Sequence, residues 1–264
     1  MNNILVCIKQ VPDTADVKIN PETNTLVREG VKSIINPFDM YAIEEAIRLK
    51  EKFGVKAIAL TMGPPQAEVA LREAISMGID EAYLVSDRAF AGSDTLATSY
   101  TIAKAIKKIG EFSVILCGKQ ASDGDTAQVG PGISTHLDIP QVTYVKKIEE
   151  IKDNTARVER MTEEGFEILV APLPCLFTVV KEINEPRLPS LKGIMRSKSA
   201  KIQFLGAVQL DIEEDKLGLK GSPTFVSKIF SPERRKGGEI FTCAAEEAVE
   251  KLVNNLKNEI HEIH

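Results

Sequence analysis

The stretch from Cys117 to Gly130, reading CGKQASDGDTAQVG, is where residue type and spacing point most directly to chemistry. It sets a glycine-bearing loop, 118–125, in front of a predicted helix over 126–137. The free N–H groups of Thr126 to Val129 then face whatever lies ahead of that helix. Such an end binds an anion through backbone donors and needs no arginine. Asp123 and Asp125 count against a bare phosphate and suit a ribose, an amide contact or a cap. The plain alternative is an ordinary helix start in which Asp125 caps and Gly124 turns, and the loop alone does not choose between the two.

Other chemistry finds little support. No GxGxxG follows the first strand-like run, and Gly118-Lys119 is followed by Gln120 where a phosphate-binding P-loop needs Ser or Thr. Neither GxSxG nor HExxH occurs. Of three histidines, His261 and His264 stand near the end of the sequence, which leaves His136 alone for acid–base work. Cys7, Cys117, Cys175 and Cys243 are far apart with no CxxC, so disulfides and zinc are not expected and a reducing compartment is.

The elements that must position the loop alternate strand and helix. Residues 4–9 read as a strand, and 17–19 with 25–27 as a small hairpin around Asn-Pro-Glu-Thr-Asn. A helix starts at Asn36-Pro37, with Asn36 as N-cap, and stops at Gly54. Strand 57–62, helix 66–77, strand 82–85, a helix capped by Ser93 or Asp94 and ending at Gly110, and strand 112–117 follow. The fold class is therefore α/β, a Rossmann-like parallel sheet with helices on both faces. Ligands of such sheets bind outside the carboxyl ends of the strands. That rule gathers the loops 9–13, 36–39, 62–65 and 118–130 at one crevice.

Beyond residue 140 the pattern changes. Runs 141–145, 156–161, 166–170 and 175–180 predict an antiparallel β addition. Pro186, Pro189 and Gly193 break regular structure. Residues 200–242 show little periodicity, and 244–263 read as an amphipathic helix. The expected organisation is a nucleotide-binding domain over 1–183, a stretch over 184–199 that the family resemblance described below makes a partner-recognition loop, and a C-terminal arm over 200–264 that ends in a helix and lies on a partner subunit. In the loop, Leu188, Leu191, Ile194 and Met195 stand among Arg187, Lys192 and Arg196, the pattern of a docking segment or of a solvated linker. A net charge of −5 argues against nucleic acid as a partner. No apolar run is long enough for membrane insertion, and the start Met1-Asn2-Asn3 runs straight into a strand, so a cytoplasmic location is expected.

Taken together these residues resemble the electron-transfer flavoprotein β family from end to end. The matches are CIKQVPD at 7–13, Asn36-Pro37-Phe38 with Glu44-Glu45-Ala46, Gly63-Pro64, Gly118-Lys119-Gln120-Ala121, Gln128-Val129-Gly130, and Asn184-Glu185-Pro186-Arg187 with Ile194-Met195. The family signature over 158–178 is met at Arg160, Glu163, Glu164, Gly165, Glu167, Leu169 and Pro174, and Phe177 stands where a smaller aliphatic is usual.

The resemblance implies a heterodimer with an α subunit that holds its own FAD, while this chain carries AMP or a second FAD. By position it assigns cofactor binding to Cys7, Asn36, Pro37, Phe38, Asp39, Met62, Gly63 and Thr95. It adds the run Ala121, Ser122, Asp123, Gly124, Asp125, Thr126, Ala127, Gln128, Val129 and Gly130. Partner binding falls to Arg187, Leu191, Ile194 and Met195. Asp39 and the segments 86–98, 123–127 and 221–224 look like the NADH-linked branch of anaerobes. That branch implies FAD in this site, hydride exchange with NAD(H), and electrons split or joined between ferredoxin and the α-subunit flavin. The flavin in turn serves an acyl-CoA or 2-hydroxy acid dehydrogenase, and the chain is not catalytic alone. Two alternatives stay open: an AMP-holding subunit of a simple electron shuttle, and a nucleotide-binding regulatory module of the universal-stress type.

Overall fold

The computed structural model describes residues 1–13, 18–19, 26–27, 33–227 and 238–262. In chain order the elements are β1 (Asn3–Cys7), β2 (Gln10–Pro12), β3 (Lys18–Ile19), β4 (Leu26–Val27), β5 (Ser33–Ile35), α1 (Pro37–Phe53), β6 (Ala57–Met62), α2 (Glu68–Met77), β7 (Glu81–Val85) and α3 (Thr95–Ile109). They continue with β8 (Phe112–Gly118), α4 (Val129–Leu137), β9 (Gln141–Lys152), β10 (Thr155–Met161), β11 (Phe166–Pro172), β12 (Cys175–Val179), α5 (Leu191–Ser199), β13 (Ile202–Leu205) and α6 (Ala245–Glu262).

Alternation along β1 explains the layers. Ile4 and Val6 pack into one apolar cluster with Ile43 and Ile47 of α1 and Leu71 and Ile75 of α2. Leu5 and Cys7 point the other way, into a second cluster with Ile102 and Ile106 of α3 and Ile133 of α4. Successive side chains of a strand face opposite sides, so a strand that is apolar throughout needs helices on both faces, and it has them.

The main sheet has nine strands in the order β11-β10-β9-β12-β8-β1-β6-β7-β13. The strands β9, β12, β8, β1, β6, β7 and β13 pair in parallel, and β10 and β11 add antiparallel to β9. One part of the expected addition is different. Strand β12 is parallel and lies between β8 and β9, with Phe177 fully buried. Its unbroken run Cys-Leu-Phe-Thr-Val suits burial on both faces, as an interior parallel strand requires.

The predicted hairpin is present as β3 paired with β4, through Lys18 with Val27 and Ile19 with Leu26. Its remaining positions, 17 and 20–25, lie outside the described residues.

The chain divides into two compact units, Met1–Ile229 and Phe230–His264. The first unit runs past residue 200, where the arm was expected to begin. Strand β13 pairs with β7, and Leu210 and Leu217 are buried in the second cluster. A four-residue strand is too short to show a period, which is why the sequence hides it. The second unit carries α6, whose Val249, Leu252, Val253 and Leu256 fall at i, i+3, i+4 and i+7 and are all exposed. No described helix is long and apolar enough to cross a membrane.

Candidate functional site

Connections from β1 lead through α1 to β6 on one side of the sheet order, while β8 is the neighbour of β1 on the other side. Helices leave β1 and β8 toward opposite faces, so a crevice opens at their carboxyl ends. Cys7 and Cys117 sit there as register partners, both buried. The neighbouring Cys7 thiol and burial together hold the Cys117 thiol well above its ordinary pKa, so it stays protonated.

The start of α1 fastens this end of the sheet. Asn36 occupies the N-cap position, yet its side chain makes no cap bond. It reaches across the crevice instead: Nδ2 donates to the Gln120 carbonyl at 2.8 Å, and Oδ1 accepts the Ser122 amide at 3.0 Å. Asp39, also buried, accepts the Lys9 amide on Oδ2 at 2.7 Å and the Gly118 amide on Oδ1 at 3.2 Å. Burial pushes the Asp39 pKa up to about 7, against the lowering effect of Asn36, the two amides and the Lys9 charge. A methyl group at Gly118 would lie 2.7 Å from the Phe38 carbonyl carbon, so glycine there permits the close approach of α1.

The loop itself is built for backbone recognition. No acceptor among the described residues takes the amide hydrogens of Thr126, Ala127, Gln128, Val129 or Gly130. Asp125 and Ala127 have φ of 50° and 54°, and Gln128 returns to the right-handed region. A left-handed Ala127 followed by a right-handed Gln128 is the kind of step that turns successive N–H groups toward one side, as in an anion nest. Holding two non-glycine residues left-handed costs on the order of 1 kcal/mol each, strain that collects where a ligand is clamped. Helix α4 starts at Val129 and not at Thr126, and Asp125 is no cap, since its side chain bonds Gln120. Above the loop, Lys9 pairs with Asp123 at 2.7 Å.

Farther along, the N-termini of α3 and α4 meet. Thr95 donates from Oγ1 to Oε1 of Gln128 at 3.0 Å. A cavity of about 370 Å³ opens here, lined among others by Asp94, Thr95, Ser99, Gln128 and Thr224. The structure thus brings together Cys7, Asn36, Asp39 and the 121–130 loop at one end and Thr95 with Gln128 at the other. Met62 packs on the second apolar cluster, and the Gly63 amide donates to the Val85 carbonyl at 3.0 Å. Pro37 is exposed, and the Phe38 ring lies beneath the Lys119 ammonium at 5.8 Å. From sequence, Asp94 reads first as a cap and second as part of a ligand loop, Lys9 and Gln120 fall in crevice loops with no stated contact, and Ser99 has no role. His136 packs edge-on against Tyr100 at 5.6 Å between ring centroids, and burial with Lys107 and Lys216 lowers its pKa. No group of three or more His, Cys, Asp or Glu among the described residues could hold a metal.

The 184–199 stretch is not a plain loop. Ser190 caps α5 by accepting the Gly193 amide at 3.0 Å, so Leu191 opens a helix. Gly193 is glycine because a Cβ there would meet the Ser76 carbonyl oxygen at 2.0 Å. Leu188, Leu191 and Met195 are largely exposed and Ile194 less so. Arg187 faces inward, donating to Glu44 at 2.8 Å and Glu51 at 2.6 Å, while Asn184 donates to Glu45 and the Tyr41 carbonyl. The Arg196 guanidinium donates to the carbonyls of Ile79 and Asp80 at 2.7 Å each.

Residues 23–209 match the electron transfer flavoprotein domain. The electron transfer flavoprotein subunit beta of Thermoanaerobacterium thermosaccharolyticum is 55% identical, over 97% of this chain and 98% of that protein. The caffeyl-CoA reductase-Etf complex subunit CarD of Acetobacterium woodii is 50% identical, over 96% of this chain and 97% of its own length. Protein FixA of Azotobacter vinelandii is 47% identical, with 97% of each covered. A switch-point crevice ringed by free amides and the full-length likeness to these proteins agree: the chain belongs to the electron transfer flavoprotein β-subunit family.

Proposed function

We propose that the chain holds FAD in the crevice at β1 and β8 and works with an α subunit that carries its own FAD. In this reading the pair exchanges hydride with NAD(H), and electrons are split or joined between ferredoxin and the α-subunit flavin that serves a dehydrogenase. The observation that carries the reading is the extent of the site. An adenylate needs only the end between Cys7, Asn36 and the 121–130 loop. The same loop also borders, through Gln128, the cavity at the start of α3, which leaves room for a second ring system.

The residues present fit such a group. Five amides without acceptors suit a pyrophosphate, and Thr95, Ser99, Gln128 and Thr224 offer donors and acceptors to the edge of a flat heterocycle. FAD, when bound, supplies two-electron exchange with a nicotinamide and one-electron exchange with other carriers. The chain's own part is to bind and orient. The nest holds phosphate oxygens, Cys7 and Met62 give an apolar wall, and Asn36 with Asp39 keeps the strand ends and loop in register.

Two exposed apolar surfaces support the partner assignments. The Leu188, Leu191, Met195 group suits the dehydrogenase, and the α6 stripe suits the α subunit. CarD is named as a subunit of a caffeyl-CoA reductase complex, which favours a CoA-thioester substrate over a 2-hydroxy acid for the dehydrogenase served. Membership of the β-subunit family displaces the regulatory-module reading.

The test is a nucleotide count on the purified αβ complex. Two FAD per dimer is the expected result. One FAD and one AMP would overturn the reading in favour of a simple electron shuttle.

A further inference from the structure

Pro223 and Thr224, after β13, line one side of the cavity, and the Asp94 carboxylate bonds Thr224 to the start of α3. Oδ1 of Asp94 accepts the amides of Leu96 at 2.9 Å and Ala97 at 3.1 Å, the usual work of a helix N-cap. Oδ2 is turned away from the helix. It accepts the Thr224 amide at 3.1 Å and the Thr224 hydroxyl at 2.8 Å. The Asp94 amide completes the join by donating to Ser222 Oγ at 2.8 Å.

Two glycines let the two loops come this close. A Cβ at Gly92 would stand 2.5 Å from Leu219 Cγ, and one at Gly218 2.4 Å from the Ala89 oxygen. Gly92 and Gly218 also need their positive φ of 75° and 54°. A cap requires one carboxylate oxygen, so the second oxygen and the glycine-permitted approach are left to be explained. Pro223 and Thr224 line the cavity, so fixing them fixes its width.

Resting on the FAD reading above, we propose that Asp94 is a positioning residue that determines ligand specificity. By latching residues 222–224 across from Gln128 and Ser99, it shapes the far end of the crevice for a ligand longer than an adenylate. Binding of FAD depends on the latch, and binding of AMP, which needs only the end at Cys7 and Asn36, does not.

Asp94→Asn separates the two tasks of the residue. Asparagine caps a helix as well as aspartate does, so Oδ1 can keep its bonds to α3. Its Nδ2 would point hydrogens at the Thr224 amide hydrogen, and the wall is released. The αβ complex, cleared of nucleotide in this subunit, is titrated with FAD and separately with AMP, and its thermal midpoint is recorded. The expected result is FAD affinity weakened roughly tenfold or more, AMP affinity within about twofold of wild type, and the midpoint nearly unchanged. Thr224→Ser, which keeps both bonds to Asp94, should bind FAD as wild type does. Equal losses for FAD and AMP, or an unchanged FAD affinity in Asp94→Asn, would overturn the proposal. A wild-type complex that takes AMP but no FAD in this subunit overturns the underlying reading as well, and that failure is recognised because it needs no variant.

Discussion

Asn36 donates from Nδ2 to Oδ1 of Asp39 at 3.0 Å, and every other side-chain bond the pair makes goes to backbone after β1 or at the end of β8 and its loop. Asn36 holds Gln120 and Ser122, and Asp39 holds Lys9 and Gly118. Two residues at the start of α1 therefore tie together the ends of β1 and β8 and the loop that follows β8.

Asn36→Ala should loosen the loop more than the fold. It strips partners from a buried carboxylate oxygen and two loop backbone groups, which costs about 1–3 kcal/mol. The nucleotide content of this subunit should fall, while the α-subunit flavin is retained. The checks are nucleotide extraction together with chemical unfolding of the complex; full retention would show that the loop keeps its shape without Asn36.

Asp39 predicts a pH dependence of definite sign. Its folded pKa of about 7 lies above its ordinary value of 3.8, so the folded chain holds the proton more tightly than the unfolded chain does. The stabilisation linked to that proton is complete below the unfolded value and is lost as pH rises through about 7. Asp39→Asn cannot titrate, and it also sets an amide group against backbone N–H donors, so it is less stable than wild type throughout. The gap should narrow between about pH 5 and about pH 8 as wild type loses its proton. Unfolding free energies of both proteins across that range decide the matter, and a constant gap would mean that folding does not raise the Asp39 pKa into that range.

The two glycines of the loop should behave differently. Nothing lies within 4 Å of a Cβ placed on Gly124, whereas one on Gly130 would sit 2.8 Å from Thr178 Cγ2. Gly124→Val should leave stability within about 0.5 kcal/mol of wild type and lower nucleotide content by blocking the ligand. Gly130→Val should lower both, because the helix is forced off β12. Thermal unfolding with and without added nucleotide separates the cases.

Arg187 supports the fold and should not steer docking. Glu44 is almost fully buried; burial raises its pKa, and Arg187 with Arg48 more than offsets this, so it stays charged. Removing one partner of a buried pair is costly, up to about 3–5 kcal/mol. Arg48 remains beside Glu44, so Arg187→Gln should lose about half of that or less. The salt dependence of dehydrogenase association should stay as in wild type, which stopped-flow mixing at several ionic strengths can measure.

Much of this was legible because it is local. Asn36-Pro37 and Gly54 bound α1, Asp94 caps α3, and the amides of 126–129 are free as their loop suggested. What could not be read depends on partners distant in sequence. A cap side chain that reaches Gln120 looks like any other Asn before a Pro. Gly193 looked like a breaker because its reason, the Ser76 carbonyl, is on another helix. The latch between Asp94 and Thr224 likewise gives no periodic signal, since it joins a helix start to a stretch with no regular structure.

Leu191 offers the sharpest test of docking. It opens α5 with its side chain largely exposed, beside Leu188 and one turn before Met195. The helix beneath is firmly seated, through Gly193 against Ser76 and Arg196 on the carbonyls of Ile79 and Asp80. An exposed leucine on a fixed helix contributes little to its own fold, so Leu191→Ala should leave stability nearly unchanged. Its burial in a partner's pocket is worth roughly 1.5–3 kcal/mol, or roughly one to two decades in affinity. Electron delivery to the dehydrogenase should therefore weaken by that factor, while reduction of a small dye by NADH through the same complex continues. The two assays run on one preparation decide it, because a residue that supports the fold would depress both.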